Sequence, residues 1–217
     1  GRLGARRLDG GGEVSTQALQ FETADGLRWP GGNVRLSVFD ADLRKPARGE
    51  LVADRLDLAA LSQIAQRLPL AEKVRTALQQ LAPKGLVEHL QATWQGTMEQ
   101  PSRYTAKGRV TQLELAARAT AGETRPGFKG ADIDFDLNQS GGRATVAVKD
   151  GSMDLPGVFE DPLLPFDQLS TDVQWKLDGT QISLTLPNLR FGNADAQGEA
   201  QVKWQTVDGA ASAKRFP

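Results

Sequence analysis

The 217-residue chain has no cysteine, one histidine and one tyrosine. Without cysteine there is no disulfide framework and no thiolate metal site, and nothing marks the redox compartment. A single histidine, His89, excludes a zinc site built on paired His or Cys ligands. No Gly-x-Ser-x-Gly elbow accompanies it, so no nucleophilic triad is assembled. Charge of one sign is also missing: 26 basic residues face 27 acidic ones, a net charge of −1. That balance leaves no basic excess to neutralise phosphates and argues against nucleic acid as a partner. No apolar run approaches the roughly 20 residues of a membrane-spanning helix, and no signal peptide is visible.

What the chain has is alternation. GNVRLSVFD sets Val34, Leu36 and Val38 against Arg35 and Ser37. ADIDFDLNQ sets Ile133, Phe135 and Leu137 against Asp132, Asp134 and Asp136. GGRATVAVKD adds Val146 and Val148, TDVQWKLDG adds Val173, Trp175 and Leu177, and TQISLTLPN adds Ile182, Leu184 and Leu186. Strands with one apolar and one polar face belong to antiparallel sheets. Turn signals at Ser140-Gly141-Gly142, Asp150-Gly151 and Asp178-Gly179 predict hairpins between sequence neighbours.

One region has a helical period. Leu58, Leu61, Ile64 and Leu68 recur at three or four residues, behind Asp57 as N-cap. Pro69 opens a second stripe of Leu70, Val74, Leu78 and Leu81, closed by Pro83-Lys84-Gly85. The expected fold is α+β: a mainly antiparallel, strongly twisted β-meander with an apolar concave face, and two short helices over about 57–68 and 70–82 docked on it. No composition shift marks an internal boundary. Residues 117–130, ARATAGETRPGFKG, read as a polar loop, and DGGGEV near the start as a flexible turn.

DLPGVFEDPLLPFDQLS, residues 154–170, is apolar yet interrupted by Pro156, Pro162 and Pro165. Proline removes a donor and fixes φ, so an irregular crossover over Asp154–Leu169 is expected. Phe159, Leu163, Leu164 and Phe166 would then plug a gap on the apolar face.

Four stretches carry a resemblance: GELVADRLDLAALSQIAQRLPL, LAPKGLVEHLQATWQG, DLPGVFEDPLLPFDQLSTDVQWKLDG and LPNLRFGNADAQGEAQVKW. Their order and spacing resemble the large AsmA-like envelope proteins of Gram-negative bacteria, the YhdP type, over nearly the whole chain. The resemblance implies an internal periplasmic piece of a longer protein, anchored in the inner membrane by a segment outside this sequence. The start at Gly1 without methionine fits that expectation. It also implies a bridge-like lipid-transport role without catalytic residues or cofactor. Phospholipid acyl chains would be shielded in a groove, with the rest of the same chain and further envelope proteins as partners. The groove residues would be Ile133, Phe135, Leu137, Val146, Val148, Val173, Trp175, Ile182 and Leu184. The alternative is a structural or protein-interaction scaffold of the envelope, its apolar face closed by its own helices and crossover.

Other clusters have plainer readings. Asp132, Asp134 and Asp136 stand about 7 Å apart along one strand face, too wide to share one cation. Trp29, Trp94, Trp175 and Trp204 read as core packing or as groove lining. Arg2, Arg6 and Arg7, with Arg44, Lys45 and Arg48, read as solvated surface or as contacts for anionic headgroups.

Overall fold

The computed structural model describes residues 1–206 apart from 23, 25, 27, 68, 69, 71, 121, 122, 159 and 195. Strands β1 (Arg2–Leu8), β2 (Gly11–Gln17), β3 (Phe21–Glu22), β4 (Arg28–Trp29), β5 (Val34–Phe39) and β6 (Arg48–Asp57) lead into helix α1 (Leu58–Ile64). A 3₁₀ turn, Ala65–Arg67, and helix α2 (Glu72–Leu81) follow. The chain then returns to strand: β7 (Lys84–Gly96), β8 (Pro101–Leu115), β9 (Arg118–Thr120), β10 (Glu123–Arg125), β11 (Gly127–Asn138), β12 (Gly141–Asp154), β13 (Leu163–Asp178), β14 (Gln181–Gly192) and β15 (Gln197–Gln205).

Eleven strands form one open antiparallel sheet in the order β1-β2-β5-β6-β7-β8-β11-β12-β13-β14-β15. Each pairs only with its predecessor and successor in that series, so the expected meander is what the chain builds. The short pairs β3–β4 and β9–β10 are separate two-stranded ribbons.

Asp57 caps α1 as its position predicts, its carboxylate accepting from Ala60 N at 2.8 Å. The two helices lie where the 3.6-residue period placed them, with tighter bounds than 57–68 and 70–82; Leu68 and Pro69 lie outside the described residues. Helix α1 lays Ala60, Leu61 and Ile64 over Leu56, Val87, Leu90 and Val110, and Trp29 closes the same cluster from the side. Phe21 stacks on the Trp29 ring, centroids 6.2 Å apart.

Three ordinary residues in the left-handed region re-aim the strands: His89 (φ 52°), Gln112 (φ 51°) and Asp150 (φ 50°). In a regular strand Val87 and Leu90, three apart, would face opposite ways. The bulge at His89 puts both into one cluster. Asp150-Gly151, expected as a hairpin turn, is therefore a bulge inside β12, opposite Gly130 at φ 82°. Left-handed backbone suits a turn and a bulge equally, so the residue types alone did not separate them.

Two further expectations change. Residues 117–130 hold the β9–β10 ribbon and the start of β11 rather than a bare loop. Arg125 ties that ribbon to α2, donating to Gln80 O at 3.0 Å and Ala116 O at 3.3 Å. Asp154–Leu169 is not an irregular crossover. β12 runs to Asp154 and β13 starts at Leu163, so the segment is a long hairpin whose loop is closed by Leu155 N donating to Pro162 O at 2.8 Å. Pro165 sits within β13 because β14 pairs with β13 only from Gln168 onward. Its carbonyl points to that unpaired side, where Asn193 Nδ2 donates to it at 3.2 Å, so its missing N–H breaks no ladder bond.

Candidate functional site

Directly paired residues of antiparallel strands share a face, as do residues two apart along one strand. The registers therefore map the apolar face of the whole sheet. One row crosses every strand: Ala5, Val14, Leu36, Leu51, Ala92, Ala106, Leu137, Gly142, Trp175, Leu184 and Trp204. No member carries a charge or a side-chain hydrogen-bonding group apart from the two indole N–H groups. Ten steps of about 4.8 Å make the row roughly 48 Å long.

Parallel rows flank it. Val110, Ile133, Val146 and Thr171 form one, and Gly108, Phe135, Ala144 and Val173 another. Leu113, Ala131, Val148, Leu169, Phe191 and Gly198 form a third. All nine residues singled out from the sequence thus lie on one face. Ile133, Phe135, Leu137, Val146, Val148, Val173, Trp175 and Leu184 are half-buried, and Ile182, paired with Leu177, is exposed. Of the four residues of the Pro-rich segment, Leu164 pairs with Met153 and Phe166 meets the Phe191 ring edge-on at 6.5 Å. Leu163 is exposed and Phe159 lies outside the described residues.

Among the described residues, the cover over this face is concentrated at one place. Trp29, Ala53, Leu56, Ala60 and Val87 are buried together under α1. Among the described residues no helix or second sheet makes extended contact with β11–β15, although Ala131 and Thr171 on that face are buried. Five strands of about 12 residues, at about 4.8 Å spacing and 3.3 Å rise, give an uncovered face on the order of 1,000 Å². A soluble monomer commonly leaves open a few hundred. The whole chain agrees: it exposes 14936 Å², against about 9,700 Å² for a compact monomer of its mass. Among the described residues only eight hydrophobic side chains are buried, four of them alanines, and no large one is fully enclosed.

The opposite face is wet. Arg109 pairs with Asp134 at 3.0 Å and Asp132 at 3.4 Å, and Arg143 with Asp136 at 3.3 Å. The aspartate ladder is thus matched by guanidinium groups on the neighbouring strands. Thr93 and Thr105 hydroxyls meet at 2.8 Å, and Arg190 pairs with Glu199 at 3.0 Å. Glu13 takes the Arg6 guanidinium and the Ser37 hydroxyl, and the Arg6 bond first of all holds its carboxyl below the usual glutamate range. His89 is exposed at its bulge.

Where β5–β8 end beside the β11–β12 turn, a cleft of ≈ 710 Å³ opens, lined by Trp94, Tyr104, Arg48, Arg103 and Gln139 among others. The Arg48 guanidinium lies over the Phe39 ring, 4.6 Å from its centroid. Beside it, Asp42 accepts from Arg44 N at 2.6 Å and Lys45 N at 2.8 Å, which lowers its pKa and ties the basic loop down. Of the four tryptophans, Trp29 is core, Trp94 and Trp175 are half-buried on the apolar face, and Trp204 is exposed.

Sequence reasoning missed the glycines of the face. Gly49, Gly108, Gly142 and Gly198 are each paired directly with an aromatic residue: Trp94, Phe135, Trp175 and Phe191 respectively. Glycine inside a strand pattern is a signal of close approach, and it was available.

Compared with known protein families, the chain matches the family model described as YhdP protein over residues 1–213. No curated protein and no solved structure matches it.

Proposed function

From the premise that this chain belongs to the YhdP family, we propose that it is a non-enzymatic segment of a periplasmic bridge between inner and outer membrane, shielding phospholipid acyl chains as they pass. The observation that carries this reading is the unbroken apolar row across all eleven strands, without a helix or second sheet laid over it from β11 onward among the described residues. A folded chain that leaves this much apolar surface open gains by covering it. An acyl chain laid on the face gains about 0.8 kcal/mol for each CH₂ removed from water. The row runs across the strands, so a chain following it meets the same chemistry at every step. No step carries a charged group that would hold it in place, which favours movement over storage. Headgroups stay in water, beyond the apolar face.

Supporting this over a scaffold role is the shape of the cover: among the described residues, α1 and Trp29 pack about Leu56 and Val87 rather than along the row. Site-specific photocrosslinking of the full-length protein in cells tests the reading. Phospholipid adducts are expected at alternate positions, such as Ile133 and Phe135, and not at Asp134. Adducts at neither face, with a protein partner captured on the apolar one, would replace the conduit by a scaffold.

A further inference from the structure

Glycine inside a strand costs stability and offers nothing to pack, so each one on the apolar face calls for a reason. Gly49 and Gly198 have no left-handed φ, and any residue adopts their backbone conformation. What a side chain there would meet is informative. At Gly49 the three nearest atoms to a Cβ all belong to the Trp94 indole, Cη2 at 2.7 Å among them. At Gly198 all three belong to the Phe191 ring, with Cζ at 2.7 Å. Each ring therefore lies across the neighbouring strand, over the glycine it is paired with. Gly142 under Trp175 and Gly108 under Phe135 repeat the arrangement, although backbone atoms also crowd those two positions, such as Asp136 O at 2.8 Å and Glu88 O at 3.3 Å.

We propose that Gly49 and Gly198 are clearance-setting residues of the acyl-chain path: each seats an aromatic ring flat against the sheet, keeping the apolar face low where Trp94 and Phe191 cross it. The inference rests on the lipid reading and adds to it. A Cβ at either position cannot coexist with the ring in place. The ring must then stand up from the sheet, into the space an acyl chain would occupy. A flat ring offers broad contact area without obstruction, and a raised one is a post. A ring resting on a strand glycine also recovers stability that the glycine loses, so the test separates clearance from stability.

The test uses the full-length protein with a photocrosslinking residue at Ala92, beside Trp94 on the same face, and a second at the remote Ile133. Gly49→Val is expected to cut phospholipid adducts at 92 by roughly tenfold, the equivalent of losing one to two methylene contacts. Adducts at 133 should hold in the same samples. Adding Trp94→Ala to Gly49→Val should restore adducts at 92, because no ring remains to be raised. Thermal stability is followed in parallel, and the rescue must appear in the adducts whether or not it appears in the melting midpoint. If Gly49→Val does not fold, the same cycle runs at Gly198 of β15 and Phe191 of β14, read at Leu169 on the adjoining β13. Unchanged adducts in a folded Gly49→Val protein, or a double variant as poor as the single one, overturns the proposal and leaves the lipid reading standing. No adducts at 92 or 133 in the unsubstituted protein overturns both.

Discussion

The sheet around β5–β8 and the sheet from β11 to β15 are made by the same rule and finish differently. Both alternate apolar and polar residues and both pair antiparallel with close registers. In the first, Leu58, Leu61 and Ile64 come down on the apolar side and bury Ala53, Leu56 and Val87. In the second, Ile133, Phe135, Val146 and Val173 stay half-buried, with no helix laid over them among the described residues. Alternation dictates a two-faced sheet but not what fills the second layer. Among the described residues the chain supplies that layer for one region and not for the other.

The comparison can be broken most sharply in the open region. Phe135→Asp or Val146→Asp should abolish lipid crosslinking there while the far-ultraviolet circular dichroism of the protein is retained. A charge on that face meets water when lipid is absent and opposes acyl chains when they arrive. Next in size is stability in the covered region. Leu56→Ala should cost about 3 kcal/mol, whereas Ile133→Ala should cost about 1 kcal/mol, since only the first leaves a cavity under a helix. Denaturant midpoints of the two variants measure this, and equal shifts would erase the distinction between the regions. Asp57→Ala should cost about 1 kcal/mol by removing the α1 cap. Its hydrogen-exchange effect should be confined to α1 and the strands beneath it. Arg109→Ala removes two exposed ion pairs and should cost under about 1 kcal/mol, with lipid crosslinking unchanged because it lies on the wet face.

The smallest effect is at the first edge of the sheet. Glu13 has its pKa lowered in the folded protein, chiefly by Arg6. A depressed folded-state pKa contributes stability that is present above the ordinary glutamate range and lost as pH falls through the folded value. Amides of β1 and β2 should therefore lose protection on acidification below that range, and Glu13→Gln should flatten the dependence. Amides of β12 and β13, remote from Glu13 in the strand order, should not follow this titration.

Much of this could be read from the sequence, and the reasons for the remainder are physical. Period-two runs at Ile133–Leu137 and Val173–Leu177 gave strands because side-chain direction is local information. Asp57 gave the helix start for the same reason. The hairpin through 154–169 was hidden because prolines argue against strand only where an N–H is needed. Whether Pro165 needs one depends on where β14 stops, a distant fact. The bulges at His89, Gln112 and Asp150 use ordinary residues in left-handed conformations, which no composition announces. Trp29 as a member of the buried cluster is a tertiary contact, and the aromatic rings resting on glycines are relations between paired strands. Those relations appear only once register is known. The nine residues proposed from the sequence did fall on one face, because alternation carries the face even when it does not carry the cover.

The strand order has its own consequence. Every strand of the large sheet answers only to the one before it and the one after it in the series. Assembly can then advance like a zipper, each hairpin closing on a finished neighbour with little loop entropy to overcome. Cooperativity should fade with distance, as in repeat arrays, where stability sums over nearest neighbours. Such a structure has no natural size. Evolution could lengthen it a hairpin at a time, and the reach of the finished molecule would scale with the number of strands rather than with any redesign of its interior.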